Sequence, residues 1–498
     1  VAAERLSPLD ASFLSLEDDV SHMHIGSVAI FEGPPPPHED IVAMIAGKLR
    51  YVPRYRQLVR RLPGTMLRPV WVDDPHFNID YHVRRTALPG PGGEAELRRL
   101  VGRLMSQPLD RAKPLWELWF VEGLEDENWA MVAKTHHSLV DGVSGAELLA
   151  TVLDTDRSYT QTESDEWHAE PSPSPIELVA DAAAGLLRSP LEQARAVSAA
   201  LQVPMHTIAG AQQVAKGLLN MAGLLRPTPR SSLNGPIGPH RRWDWASATV
   251  DEIKTIRHAL GGTFNDVVLA GITSGFRRLL ESRGEPVDRV VRTMVPVSVR
   301  GRDESGRAVG DSVFNNKVSA MFADLPIDIR DPLSRLQMIS AQMEGLKESR
   351  EALAGQALTS MAGFAPSMLL SLGLRAATNI SQRNLNTITT NVPGPQLPLY
   401  VRGRQMLKAF PYVPLWGSIR ITVAIFSYNG QVNFGVTGDY DSAADIGVLC
   451  RGIERGLHEL LDIARSRERP IALRGNPPKA RKRATREATR RRAKTRRT

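Results

Sequence analysis

The stretch Thr135-His136-His137-Ser138-Leu139-Val140-Asp141-Gly142 constrains this chain more than any other. An apolar run from Trp129 to Ala133 precedes it, and Leu148, Leu149, Val152 and Leu153 follow at helical spacing. Two histidines therefore leave the end of a strand, and an Asp-Gly turn feeds a helix. A histidine supplies a base near neutral pH. The carboxylate of Asp141 suits it to orienting the loop or a ring, or to pairing with an arginine, and Gly142 lets the backbone turn where a side chain would clash. A chance match to HHxxxDG is expected about once in a thousand such chains. The competing reading, a strand-end histidine pair with no task, carries the desolvation cost of two adjacent imidazoles in an apolar setting.

The rest of the chain alternates strand and helix patterns in both halves, which predicts a mixed α/β fold. His22 and His24 share one strand face before an apolar run to Phe31, as a structural pair or as the lining of a channel. Ile41, Ile45 and Leu49 mark a helix. Arg54, Arg56, Arg60 and Arg61 form a basic cluster, read either as a solvated helix end or as a phosphate contact. Phe77, Ile79 and Tyr81 alternate as in a strand, and Leu97, Leu100, Val101 and Leu104 mark a further helix. Pro114-Leu115-Trp116 stands shortly before the histidine strand. Residues 155–175 are polar, acidic and rich in Ser and Pro, as in an exposed connection, and 176–225 suit two helices broken near Pro204.

In the second half, strand Trp243–Val250 and helix Asp251–Leu260 lead to a longer helix opened by Thr263-Phe264-Asn265-Asp266. Thr263 and Asp266 fit a capping box, so Asp266 has a structural explanation. A strand over Val290–Val299 precedes Arg300, and Asp331-Pro332 caps a helix carrying Leu333, Leu336, Ile339, Met343 and Leu346. Asn429-Gly430 between alternating runs signals a hairpin. The last helix carries Ile446, Leu449, Ile453, Leu457 and Leu461. Cys450, the single cysteine, lies in it without an activating neighbour, so a disulfide framework and a zinc-cysteine site are excluded. The formal charge of +8 is concentrated: residues 471–498 hold 12 Lys/Arg and one Glu, while the body is close to neutral. That arm reads as disordered, with anionic lipid or nucleic acid as candidate contacts. No signal peptide is visible and no uninterrupted apolar run is long enough to span a membrane.

Several motifs recur in one order: Pro114-Leu115-Trp116, the HHxxxDG segment, Asn265-Asp266, Thr390-Asn391-Val392-Pro393-Gly394-Pro395 and Ser427-Tyr428-Asn429-Gly430. With them the chain resembles the bacterial wax ester synthase / acyl-CoA:diacylglycerol acyltransferase family, within the CoA-dependent acyltransferase superfamily, over roughly residues 4–465. One family segment departs: Asn315 stands where the family usually has glycine.

The resemblance implies two chloramphenicol-acetyltransferase-like domains with an active-site tunnel between them. It divides the chain into an N-terminal domain (1–155), a linker with crossover helices (156–235), a C-terminal domain (236–468) and the basic tail (469–498). It implies transfer of a long-chain acyl group from acyl-CoA to diacylglycerol or to a long-chain alcohol. His137 would be the general base, His136 would shape the pocket, and Asp141 would orient the loop with Arg300 as partner. Trp116 is read either as core or as an acyl-channel wall. Pro114, Asn265, Asp266, Thr390 and Asn391 are motif positions of structural or channel character. No metal or cofactor is expected beyond acyl-CoA as co-substrate. The expected setting is cytoplasmic, with peripheral contact to a membrane or lipid droplet and no specific nucleic-acid partner. The alternatives are a same-fold enzyme for another lipid or polyketide-derived alcohol, and a non-catalytic lipid-binding protein.

Overall fold

A computed structural model describes residues 4–61, 68–139, 152–158, 167–174, 177–178, 230–298, 318–354 and 384–468. Asp141, Gly142, Arg300, Asn315, most of the helix expected after the histidine motif, the crossover helices and the basic tail lie outside the described residues.

The first half opens with helix α1 (Pro8–Leu16), capped by Ser7, whose side chain accepts from the Asp10 N–H. Strand β1 (His24–Phe31), helix α2 (His38–Lys48), the short strands β2 (Gln57–Arg60) and β3 (Val70–Asp73), β4 (Val83–Ala87), helix α3 (Glu94–Met105), β5 (Trp116–Glu122) and β6 (Trp129–His136) follow. The second half contains β7 (Arg241–Thr249), α4 (Val250–Leu260), α5 (Phe264–Ser282), β8 (Val291–Ser298), β9 (Val318–Leu325), α6 (Pro332–Ala354), β10 (Thr387–Pro393), β11 (Tyr400–Val401), β12 (Arg404–Tyr412), β13 (Ile421–Tyr428), β14 (Gln431–Asp439) and α7 (Ile446–Glu468).

These strands build two six-stranded sheets, in the orders β11-β12-β1-β6-β5-β4 and β7-β14-β13-β10-β8-β9, and β2 pairs separately with β3. The architecture is mixed α/β. The second core buries the inner faces of α5 and α7 against β13 and β14. In the first half, apolar side chains pack on both faces of its sheet. The sheets do not divide the chain at one point. Strand β12 comes late in sequence but pairs antiparallel with β1, and it also lies against β14. There, a Cβ on Gly435 would sit 1.8 Å from the Pro411 carbonyl oxygen, so only glycine permits that approach. The Asn433 amide donates to the Ala409 carbonyl at 2.9 Å across the same seam.

Most local expectations are met. The hairpin turn has positive φ at both Asn429 (43°) and Gly430 (80°), the geometry that Asn-Gly favours. Thr263 and Asp266 form a reciprocal capping box at the start of α5, and Cys450 is buried in α7, its thiol pushed well up by burial. One expectation is corrected. Ile79–His82 is a short helix, not part of a strand. Asn78 accepts from the Asp80 N–H at 3.0 Å and so turns the chain into a helical turn, overriding the apolar alternation. The basic cluster is not a uniformly solvated helix end. Arg56 is buried, with its guanidinium 5.0 Å from the Trp167 ring, and Arg54 pairs with Glu4 at 2.6 Å.

Candidate active site

Strand β6 delivers the histidine pair. His136 is its last residue and His137 opens the 3-10 turn that follows. Two backbone bonds hold this end: the His136 N–H donates to the Leu115 carbonyl at 2.9 Å, and the His137 N–H to the Met23 carbonyl at 2.8 Å. The Pro114-Leu115-Trp116 segment is therefore a direct support of the histidine pair. Trp116 itself is buried in the core, its indole N–H donating to the Tyr55 carbonyl at 2.7 Å and its ring stacked on His82.

The His137 ring is half-buried and stacks on Phe13 of α1, centroids 4.0 Å apart and planes at 21°. Burial drives its pKa down from 6.5 to about 4, a hydrogen bond with its own backbone opposes this, and the neighbouring His136 adds to the depression. In its neutral form the ring keeps a lone pair on one of its two nitrogens. At neutral pH this is an uncharged imidazole with an available base.

His136 is buried and tied differently. Its Nδ1 accepts from the Ser138 hydroxyl at 2.7 Å and the Ser138 N–H at 3.1 Å. Its Nε2 faces Glu17 Oε2 at 3.6 Å, beyond hydrogen-bond length. The carboxylate of Glu17 also pairs with Arg111 and accepts from the Met23 N–H at 3.3 Å. Burial alone would raise the Glu17 carboxyl. His136 and Arg111 outweigh it and hold the pKa at about 2. Met23 thus connects the two histidines: its N–H meets Glu17 and its carbonyl meets His137.

Behind this pair lies a row of buried titratable side chains. His24, cross-strand partner of His136, donates from Nε2 to the Met105 carbonyl at 3.0 Å. His22 stacks on it at 5.8 Å, and Tyr412 stacks at 5.8 Å on the other side. Burial, then the nearby charges of Arg241 for His22 and Lys134 for His24, depress both pKa values. Lys134 is fully buried and donates to the Leu104 and Gln107 carbonyls. Burial lowers its pKa to about 8 against the opposing pull of Glu117, 3.9 Å away.

A second group of motif residues meets in the other sheet. The Asn391 amide of β10 donates to the Asn265 side-chain oxygen of α5 at 3.3 Å. Thr390 neighbours Asn391 on β10 and pairs in register with Ala424 of β13. Asp266 is buried and accepts the Thr263 N–H at 2.8 Å through Oδ2, while its Oδ1 has no partner. Among the described residues no hydrogen bond or ring contact joins this group to the histidines. Sequence reasoning missed Glu17, Lys134 and Arg241. For Glu17 the one signal was an acid closing the apolar helix α1, and its partners lie about a hundred residues away.

The comparisons with known proteins agree with one another. The family model of the wax ester synthase/diacylglycerol acyltransferase catalytic domain matches residues 6–268, and that of the WS/DGAT C-terminal domain matches 314–461. The chain is 36% identical over 466 residues to the "Probable diacylglycerol O-acyltransferase tgs1" of Mycobacterium tuberculosis, covering 93% of this chain and 97% of that one. Among solved structures it is similar to the wax ester synthase/diacylglycerol acyltransferase of Marinobacter aquaeolei VT8, with 27% identity, a TM-score of 0.64, and 92% and 99% of the two chains covered. It shares its fold with the trichothecene 15-O-acetyltransferase of Fusarium sporotrichioides, with 12% identity, a TM-score of 0.57, and 92% and 94% covered.

Proposed function

The chain belongs to the wax ester synthase/diacylglycerol acyltransferase family, and from that premise we propose how its histidine turn works. It is an O-acyltransferase, passing an acyl group to the hydroxyl of diacylglycerol or of an alcohol, with the two-domain mixed α/β fold of the CoA-dependent acyltransferases. His137 is the general base. Its unprotonated ring nitrogen takes the acceptor's hydroxyl proton as the oxygen attacks the thioester carbonyl of acyl-CoA. The tetrahedral intermediate collapses, the C–S bond breaks, and the CoA thiolate leaves with the proton returned from His137. Protons balance within one turnover, and the step as proposed calls for no metal, cofactor or covalent enzyme intermediate. Glu17 and His136 set the position of the base, and Asp141 orients the turn with Arg300 as its partner.

The observation that carries this reading is the uncharged His137 ring at the end of β6, stacked on Phe13, with its pKa lowered to about 4. No helix among the described residues is long and apolar enough to cross a membrane. The enzyme works in the cytoplasm and meets its lipid acceptor at a membrane or droplet surface, with the basic arm 471–498 as the contact to anionic lipid. The experiment is acyl transfer from radiolabelled palmitoyl-CoA, with diacylglycerol and hexadecanol offered separately, to wild type and His137→Ala. Triacylglycerol or wax ester made by wild type and lost in the variant supports the mechanism and identifies the acceptor. Equal rates in the two proteins remove His137 as the base.

A further inference from the structure

Away from the histidines, the last turns of α5, the start of α6 and the side of α7 border an open cavity of about 310 Å³. Four guanidinium groups line it, Arg277, Arg278, Arg330 and Arg335, against two carboxylates, Glu281 and Glu459. At 1.5 Å of rise per residue, Arg277 lies about 18 Å along α5 from Asn265, so the cavity is separate from both motif groups.

The charges do not cancel. Arg277 pairs with Glu281 at 2.7 Å and Arg278 with Glu459 at 2.6 Å, and Glu459 is further shared with Arg455 at 3.3 Å. No ion pair involves Arg330 or Arg335 among the described residues. Arg335 is 3% exposed; its Nε donates to the Ile329 carbonyl at 3.1 Å and one Nη to the Arg330 carbonyl at 2.9 Å. The Arg278 Nε is also buried with no acceptor. Holding the 327–330 turn explains why Arg277 and Arg335 are buried, since they bond its carbonyls. It does not explain the positive excess of the lining: four guanidinium groups face two carboxylates, and buried Arg335 meets Arg277 and Arg278 as like charges beside the attraction of Glu459 and Asp331. Guanidinium forks match the oxygens of a phosphoryl group.

We propose that this cavity binds a phosphate monoester, held between Arg278, Arg330 and Arg335, either free in solution or as the headgroup of a lipid. The site does not depend on the acyl-transfer mechanism. The test uses the full chain, with inorganic phosphate and glycerol 3-phosphate titrated at ionic strength fixed by sodium chloride, followed by calorimetry and thermal unfolding. Flotation with phosphatidylcholine vesicles, with and without phosphatidate, forms a second arm. The variant is Arg330→Ala: that side chain is exposed and takes part in no ion pair of the described structure, so the variant folds, as its unchanged melting in chloride will report.

Saturable stabilisation of wild type by both soluble phosphates, weakened about tenfold in the variant, is the expected result. Arg330→Lys, which keeps the charge and loses the fork, falls between the two. Phosphatidate-dependent flotation weakened by Arg330→Ala assigns the ligand to a headgroup. Flotation unchanged by the variant, with soluble binding weakened, assigns it to a free metabolite. The comparison between variant and wild type is the deciding one, because the basic arm alone attracts anionic vesicles. Stabilisation matched by chloride, or equal in wild type and Arg330→Ala, overturns the site.

Discussion

The turn after β6 and the start of α5 are both marked by a short polar motif, His136-His137 in one and Asn265-Asp266 in the other, and both stand at the end of a regular element. At the start of α5, Thr263 and Asp266 cap each other's backbone N–H groups, and Asn265 spends its side-chain oxygen on Asn391. The motif is largely consumed in making a helix start. At the end of β6 main-chain bonds through Leu115 and Met23, with the His136 ring accepting the Ser138 N–H, hold the turn, and the His137 side chain is left over. His137 keeps a lone pair free, and His136 and Glu17 face each other across 3.6 Å. A polar motif marks chemistry where the side chains are not needed to satisfy the backbone.

The sharpest way to break this contrast is His137→Ala. Loss of the base lowers kcat by about a hundredfold to ten-thousandfold, with no comparable loss of folded protein, since the turn is held by main-chain bonds and by His136. Steady-state transfer rates beside a melting curve read both. The pH profile sharpens it. With His137 depressed to about 4, wild-type kcat/KM stays level from pH 7 down towards pH 5 and falls below that; a limb near 6.5 would mean the ring is not desolvated as described. The same shift acts on stability. Between 6.5 and about 4 the unfolded chain binds a proton at this site that the native state does not, so its contribution, intact above 6.5, is lost as pH falls through that window. His137→Ala removes that part of the acid sensitivity.

Glu17→Gln is next. It keeps the shape, and an oxygen for the Met23 N–H, but removes the charge between Arg111 and His136, so His136 loses the carboxylate it faces and the base is held less well. We expect kcat to fall on the order of tenfold to a hundredfold, with KM for the acceptor nearly unchanged. A KM effect alone would make Glu17 a binding residue, and no effect would leave it structural.

What could be read from the chain divides along the same contrast. Local devices were legible: the apolar run of β6, the Thr263 box, the Asn429-Gly430 turn and the buried face of α7 are each written within a few residues. Features built by distant partners were not. Glu17 meets Arg111 and His136 across roughly a hundred residues. Lys134 looks like a surface residue until Leu104 and Gln107 are seen to accept from it. Strand β12 joins the first sheet from the second half of the chain, which no periodicity announces. Ile79–His82 failed locally, because one Asn cap outweighed an alternation of only three apolar residues.

In the second half the expected losses are of stability and not of chemistry. Gly435→Ala places a methyl against the Pro411 carbonyl at the seam between the sheets. Backbone on both sides cannot yield cheaply, so we expect a loss of about 1–3 kcal/mol, measured by urea denaturation. If activity per folded molecule also falls, the seam sets the geometry between the domains.

Thr263→Ala is the mildest change and the most direct test of the contrast. It removes the hydroxyl that accepts the Asp266 N–H at 3.3 Å and leaves the start of α5 with an unsatisfied donor. The cost should be about 1 kcal/mol, seen as a lower urea midpoint at unchanged slope. Transfer activity, scaled to folded protein, should stay within about twofold of wild type, because the hydroxyl serves the helix and touches neither base nor acceptor. Were kcat to fall as steeply as in Glu17→Gln, the Asn265–Asn391 contact one residue-pair away would have to be part of the reacting geometry. The capping box would then serve the site as well as the helix, and the two motifs would differ only in which element supports them.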